Sequence, residues 1–83
     1  MDAEKAALQR AFGDAVRERR NDELELTQEQ LANSSGLNQN WISHVENGRN
    51  ALNLWNLHRL ASALGLSTPE LLARAERHRA SRT

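Results

Sequence analysis

Cysteine and tyrosine are absent from this 83-residue chain, which holds a single proline, one phenylalanine and two tryptophans. Without cysteine there is neither a disulfide framework nor a thiolate metal site. That fits a reducing compartment, and a cytoplasmic protein is expected. No apolar run approaches the ~18 residues of a membrane span. The opening MDAEKAALQR lacks the apolar core of a signal peptide. The three histidines, His44, His58 and His78, are too widely spaced to read as metal ligands, and none has an acid on an obvious shared face. Also missing are a nucleophile with its base, paired carboxylates in a fixed frame and a glycine-rich phosphate loop. A chain this short leaves little room for a sizeable pocket. An enzyme is therefore not expected, and neither is a cofactor, a metal or a small-molecule ligand.

Net charge is lacking too: 11 basic residues balance 11 acidic ones. A generic nucleic-acid binder is usually basic, so any such partner must be held more by fitted contacts than by bulk attraction. The charges are nonetheless uneven. Arg17, Arg19 and Arg20 surround Glu18. Arg74, Arg77, Arg79 and Arg82 lie near the end of the chain with Glu76, and Asp22, Glu23, Glu25 and Glu29 fall between the two groups.

What is present is helical periodicity. Leu8, Phe12 and Val16 recur every four residues beside Ala11 and Ala15, which predicts a helix over about 4–20. Arg20 continues that line as a charge, and NDELE reads as a polar connector anchored by Leu24 and Leu26. Thr27-Gln28-Glu29-Gln30 has the form of a capping box and opens a helix to about Ser35, with Leu31 and Ala32 inward. Gly36 suits the left-handed residue after a helix end. Asn38 suits an N-cap, and Asn47-Gly48 marks the next stop. Asn53 can cap a helix carrying Leu54, Leu57, Leu60, Ala61 and Leu64 on one face, ended by Gly65. Ser67-Thr68-Pro69-Glu70 is a second capping box, with Pro in the first turn, where its missing N–H does no harm. It leads into Leu71, Leu72 and Ala75. No segment alternates with period two. The expected architecture is all-α: one domain over 1–83 with its core at about 8–76, built of five short helices.

The stretch SSGLNQNWISHVENG carries the least ordinary pattern. At about 100° per residue, Ile42 and Val45 form a thin apolar edge, flanked by Gln39 and Trp41. Asn40, Ser43, His44 and Asn47 fall on the far side. Solvated helices usually carry Lys and Glu there. A face of amides and hydroxyls, which donate and accept in fixed geometry, suits base edges.

Two short helices joined by a tight glycine turn, over residues 28–47, form a helix-turn-helix pattern. With LTQEQLANSSGL (26–37), WISHVENG (41–48) and LHRLASALGLS (57–67), the chain resembles the phage-repressor and Cro-like (XRE-type) helix-turn-helix regulators from about Phe12 to Leu72. The resemblance implies a compact five-helix lambda-repressor-like domain and a bacterial or phage-type transcriptional regulator. It would bind double-stranded DNA as a homodimer on a palindromic operator, with the second helix of the motif in the major groove. Gln39, Asn40 and His44 fall where the family reads bases, with Ser43 beside them. Thr27, Gln28, Asn38, Asn47 and Arg49 match positions near phosphates, and Asn38 also borders the base-reading set. Two positions depart from the pattern. Glu25 precedes Leu26 where relatives often have Gly, in a connector one residue longer, and Asn50 stands where a basic residue is common, with Arg49 as its substitute.

Glu46 projects toward the apolar side of its helix and Arg20 toward that of the first. Because a buried charge needs a partner, an Arg20–Glu46 ion pair is expected. Trp41 can pack against the preceding helix or touch a sugar or phosphate. Trp55 can cover the core edge or serve a dimer interface. The Arg-rich tail is expected as a solvated helix end. No ligand-sensing domain follows the helices in this sequence, so if the chain is complete, regulation is expected to come from concentration, oligomerisation or a partner. The alternative function is an antitoxin or adaptor that uses the same fold for protein–protein binding.

Overall fold

The computed structural model describes residues 2–49 and 52–81. Asn50 and Arg82 lie outside the described residues. Among them, α1 (Asp2–Arg17) runs directly into a wide helical turn (Glu18–Glu23). Then follow α2 (Gln28–Ser35), α3 (Gln39–Glu46), α4 (Leu54–Ala63) and α5 (Thr68–Ser81), and no described residue is in a strand. α1 lies along α5 and against α3, α2 crosses α3 and α4, and α4 meets α5.

The core lies where these faces converge. Leu31, Ile42, Leu60, Leu64, Leu71, Val16 and Val45 are its largest fully buried side chains. Each contributes about 1.5–3 kcal/mol of burial. Trp41 is half-buried against this cluster, and so are Leu24, Leu37, Leu52 and Leu57.

Local chemistry sets the boundaries. The Thr27 hydroxyl accepts from the Gln30 N–H at 3.0 Å while the Gln30 side chain accepts from the Thr27 N–H at 2.8 Å. Ser67 and Glu70 repeat the arrangement at the start of α5, at 3.2 and 2.7 Å. Asn38 and Asn53 cap α3 and α4 through Trp41 N–H and Asn56 N–H. Gly36 closes α2 at φ 71°, a left-handed conformation that costs an L side chain about 1–2 kcal/mol.

Four expectations need correction. The helix predicted over 4–20 continues to Glu23, so most of NDELE is helical. The wide turn spends one more residue per hydrogen-bonded ring than an α-turn, and Leu24 N–H reaches back to the Arg19 carbonyl at 3.0 Å. The apolar stripes of α1, α4 and α5 each overreach. Leu8, Leu54 and Leu72 are 44, 78 and 43% exposed. Leu54, in the first turn of α4, sits about 70° off the stripe of Leu57, Leu60, Ala61 and Leu64. Leu8 and Leu72 instead line an open apolar groove of ≈ 390 Å³ between α1 and α5, with Phe12, Leu52 and Ala75. That is more concavity than a chain of this length led us to expect. Finally, the basic stretch of α5 is tied to the wide turn at Arg74 and His78, while Arg79 pairs only within its own helix. Arg74 donates to Glu23 at 2.6 Å, His78 meets Glu18 at 3.2 Å and Arg79 pairs with Glu76. The acid facing His78 sits 60 residues earlier, beyond the reach of any local pattern.

Candidate nucleic-acid interface

α3 is presented on a frame built around one buried carboxylate. Glu46, the last residue of α3, is 3% exposed. Arg20 grips it bidentately, Nε to Oε2 at 2.6 Å and Nη2 to Oε1 at 2.9 Å, and donates its third contact to the Leu26 carbonyl at 2.6 Å. Gln28 Nε2 also donates to Glu46 Oε1, at 3.1 Å. The wide turn, the start of α2 and the end of α3 are thus locked to one another. A fork-to-carboxylate pair fixes orientation as well as distance. No buried polar side chain among the described residues lacks a partner, as burial of charge requires.

A second set of contacts supports this frame. Gly13 lets α1 and α3 approach closely. A Cβ there would press into the Val45 carbonyl and come within 2.8 Å of the Glu46 carbonyl oxygen. Arg59 of α4 donates to the Ser35 carbonyl at 2.9 Å and Arg19 to the Leu64 carbonyl at 2.9 Å. Each neutralises a helix C-terminus, where cations are favoured. Sequence reading missed all three. A glycine inside the amphipathic run AFGDAV was the available signal for Gly13. Nothing local marks an arginine that caps a distant helix.

Outside the frame stands the polar face of α3. Gln39, Asn40 and His44 are exposed and Ser43 is half-buried. At helical spacing Gln39 and Ser43 share one line, Asn40 and His44 the next. Gln39, Asn40 and His44 make no side-chain hydrogen bond to another described residue, so their donors and acceptors face solvent. Gln39 also edges a shallow cleft lined by Leu26, Thr27, Gln28 and Glu29. The start of α3 and the start of α2 therefore form one continuous surface.

The residues matched to phosphate positions divide. Gln28 and Asn47 join the Glu46 network, Gln28 directly and Asn47 through Arg17, whose Nη2 donates to Asn47 Oδ1 at 3.3 Å. Thr27 and Asn38 are N-caps with their oxygens engaged. Arg49 stands apart beyond α3, exposed, its N–H on the His44 carbonyl at 2.9 Å. Of the arginines that clustered in the sequence, Arg19 and Arg20 are consumed inside the fold. Glu25 and Glu29 remain exposed at the α2 end.

The geometry is that of a helix-turn-helix unit: a capped α2, a glycine turn, and a second helix whose outer face is polar and free. The chain belongs to the family described as helix-turn-helix domain, whose model matches residues 11–80. It is a sequence-specific DNA-binding transcriptional regulator. It is 30% identical over 66 residues to the control protein C.MunI of a Mycoplasma species, covering 80% of this chain and 89% of that protein. Over 61 residues it is 34% identical to the control protein C.BamHI of Bacillus amyloliquefaciens, covering 74 and 75%. Among solved structures it is similar to the restriction-modification controller protein C.AhdI of Aeromonas hydrophila, with TM-score 0.72, 38% identity and 76 and 94% of the two chains covered. It is also similar to the clp gene regulator ClgR of Corynebacterium glutamicum, with TM-score 0.82, 31% identity and 90 and 79% covered.

Proposed function

We propose that the chain acts as a homodimer on a palindromic operator. One α3 from each protomer would enter the major groove of successive half-sites about one helical turn, ~34 Å, apart. In this reading Gln39 and Asn40 pair with base edges, with His44 and Ser43 beside them. Thr27, Gln28, Asn38, Asn47 and Arg49 set the register on phosphates. The observation that carries the reading is the face of α3. Its amides and imidazole are exposed and unengaged on a helix that is otherwise rigidly held. Amides left free on a fixed frame can discriminate bases by ~1–3 kcal/mol per bidentate pair.

Three of the relatives are control or controller proteins by name, which favours a controller of this kind over a general regulator. No described helix is long and apolar enough to cross a membrane, and we place the protein in the cytoplasm with its DNA. We propose α5 with the end of α4 as the dimer face. The alternative of a protein-binding adaptor rests on the exposed Leu54 and Trp55 at the start of α4. Trp55 lies 5.6 Å beneath the Arg59 guanidinium and 5.8 Å from the His58 ring, so part of its surface is already occupied.

Selection from random duplex DNA with purified protein tests the proposal. An enriched palindrome with half-sites one turn apart is expected. No enrichment at low salt from folded, dimeric protein would overturn it in favour of the adaptor.

A further inference from the structure

We propose that Arg17 is a positioning residue of the DNA interface, acting through Asn47. The inference rests on the DNA-binding reading of α3, but its geometry stands independently. Arg17 leaves the end of α1 toward the C-terminus of α3. Its Nη2 donates to the Glu46 carbonyl at 3.4 Å and to Asn47 Oδ1 at 3.3 Å, and its Nε lies 3.6 Å from Glu46 Oε1.

Two consequences follow from the chemistry of guanidinium. Arginine only donates, so the Asn47 atom facing it must be the amide oxygen. The two N–H groups of Asn47 are then turned the other way, as donors. A phosphate oxygen only accepts, and a donor pair held in place meets it without first having to rotate. The second consequence concerns the helix end. The C-terminus of α3 carries partial negative charge that repels a phosphate. A guanidinium on its last carbonyl offsets that charge. Gln28 donates to the same carboxylate oxygen that Arg17 Nε approaches, so Glu46 fixes one polar side chain through its own oxygen and another through Arg17. The side chain of Arg17 is 48% exposed where those of Arg20 and Glu46 are 9 and 0%. It is therefore the member of the network least needed for burial of charge.

The test has two readouts. In the free protein, the motion of the Asn47 side-chain amide is measured by NMR relaxation. Restricted motion in the wild type, lost in Arg17→Ala and Arg17→Lys with the fold intact, is expected. Equal mobility in all three would overturn the proposal. On the operator, Arg17→Ala should weaken binding about three- to tenfold, the worth of one hydrogen bond. In an Asn47→Ala background it should have almost no further effect. The salt dependence should stay nearly unchanged, because a neutral amide releases no counterion. A full loss from Arg17→Ala in the Asn47→Ala background, with a flatter salt slope, would instead mean that Arg17 touches phosphate itself, and the proposal would fail. If the amide is ordered by Arg17 but wild-type protein selects no duplex, the DNA reading fails and the positioning contact survives.

Discussion

At the scale of single residues, the two charges that bind the frame and the one residue that strains it make separable predictions. Removing one partner of a buried pair leaves the other uncompensated, at a cost of about 3–5 kcal/mol, whereas replacing both with apolar residues of similar size is often near neutral. Glu46→Ala should therefore destabilise the fold by about that amount in urea titration. Arg20→Met with Glu46→Leu should cost distinctly less than Glu46→Ala alone. A double variant as unstable as the sum of its singles would show that the hydrogen bonds to Leu26 and Gln28 dominate instead. Glu25 presents the opposite case. It is the described non-glycine residue at positive φ, 54°. A side chain there costs about 1–2 kcal/mol, while glycine would loosen the unfolded chain by about 0.4–1 kcal/mol. Glu25→Gly should thus stabilise by roughly 0.5 kcal/mol, read as a raised urea midpoint with unchanged slope. The sequence already marked Glu25 as a departure from a family glycine, and the backbone supplies the reason glycine belongs there. Gly13 was legible only as an oddity, since the carbonyl that excludes a Cβ belongs to another helix.

Among the helices, the caps were legible because each is written within four residues: Thr27 with Gln30, Asn38 with Trp41, Asn53 with Asn56, Ser67 with Glu70. The wide turn was not. Its residues look polar and connector-like, and two of the contacts that hold them come from α5: Arg74 pairs with Glu23, and His78 meets Glu18. Two carboxylates, Glu23 and Glu70, make the molecule acid-sensitive in a specific way. The Arg74 and then the Arg19 guanidinium hold the Glu23 carboxyl below its ordinary 4.5. The Ser67 N–H and then its hydroxyl hold Glu70 below the same value. Both pKa values are depressed in the folded state, so the stability they contribute is complete above pH ~4.5 and is lost as pH falls below it. The difference in melting temperature between wild type and Glu23→Gln should accordingly shrink from pH 6 to pH 3. The two capping boxes should part company over the same range. Gln30 does not titrate and Glu70 does, so acid should open the first turn of α5 to hydrogen exchange while leaving that of α2 protected. Equal opening of both would place the acid response elsewhere.

The whole molecule has no net charge, and the fold explains how a neutral protein can present a DNA-binding surface at all. Its arginines are divided between internal and external work. Arg19, Arg20, Arg59 and Arg74 hold helix ends or carboxylates. Near the α3 face that leaves Arg49 as the cation without a side-chain partner among the described residues. Arg10 is exposed where its backbone packs under Gly48, next to Arg49 just past the end of α3. Counterion release contributes a slope of about −0.9 in log K against log salt for each phosphate neutralised. In the proposed dimer two Arg49 side chains give about −2, and Arg10 from each protomer would bring the total to about −4. Both values are shallow beside proteins that neutralise six to ten phosphates. Binding to the selected operator, followed from low to moderate salt, should give a slope in this range, and Arg49→Ala should flatten it by about 2 while weakening every sequence alike. Gln39→Ala and Asn40→Ala should leave the slope untouched and lower only the preference for the operator. A slope near −8 would mean that arginines now paired inside the fold are released onto DNA.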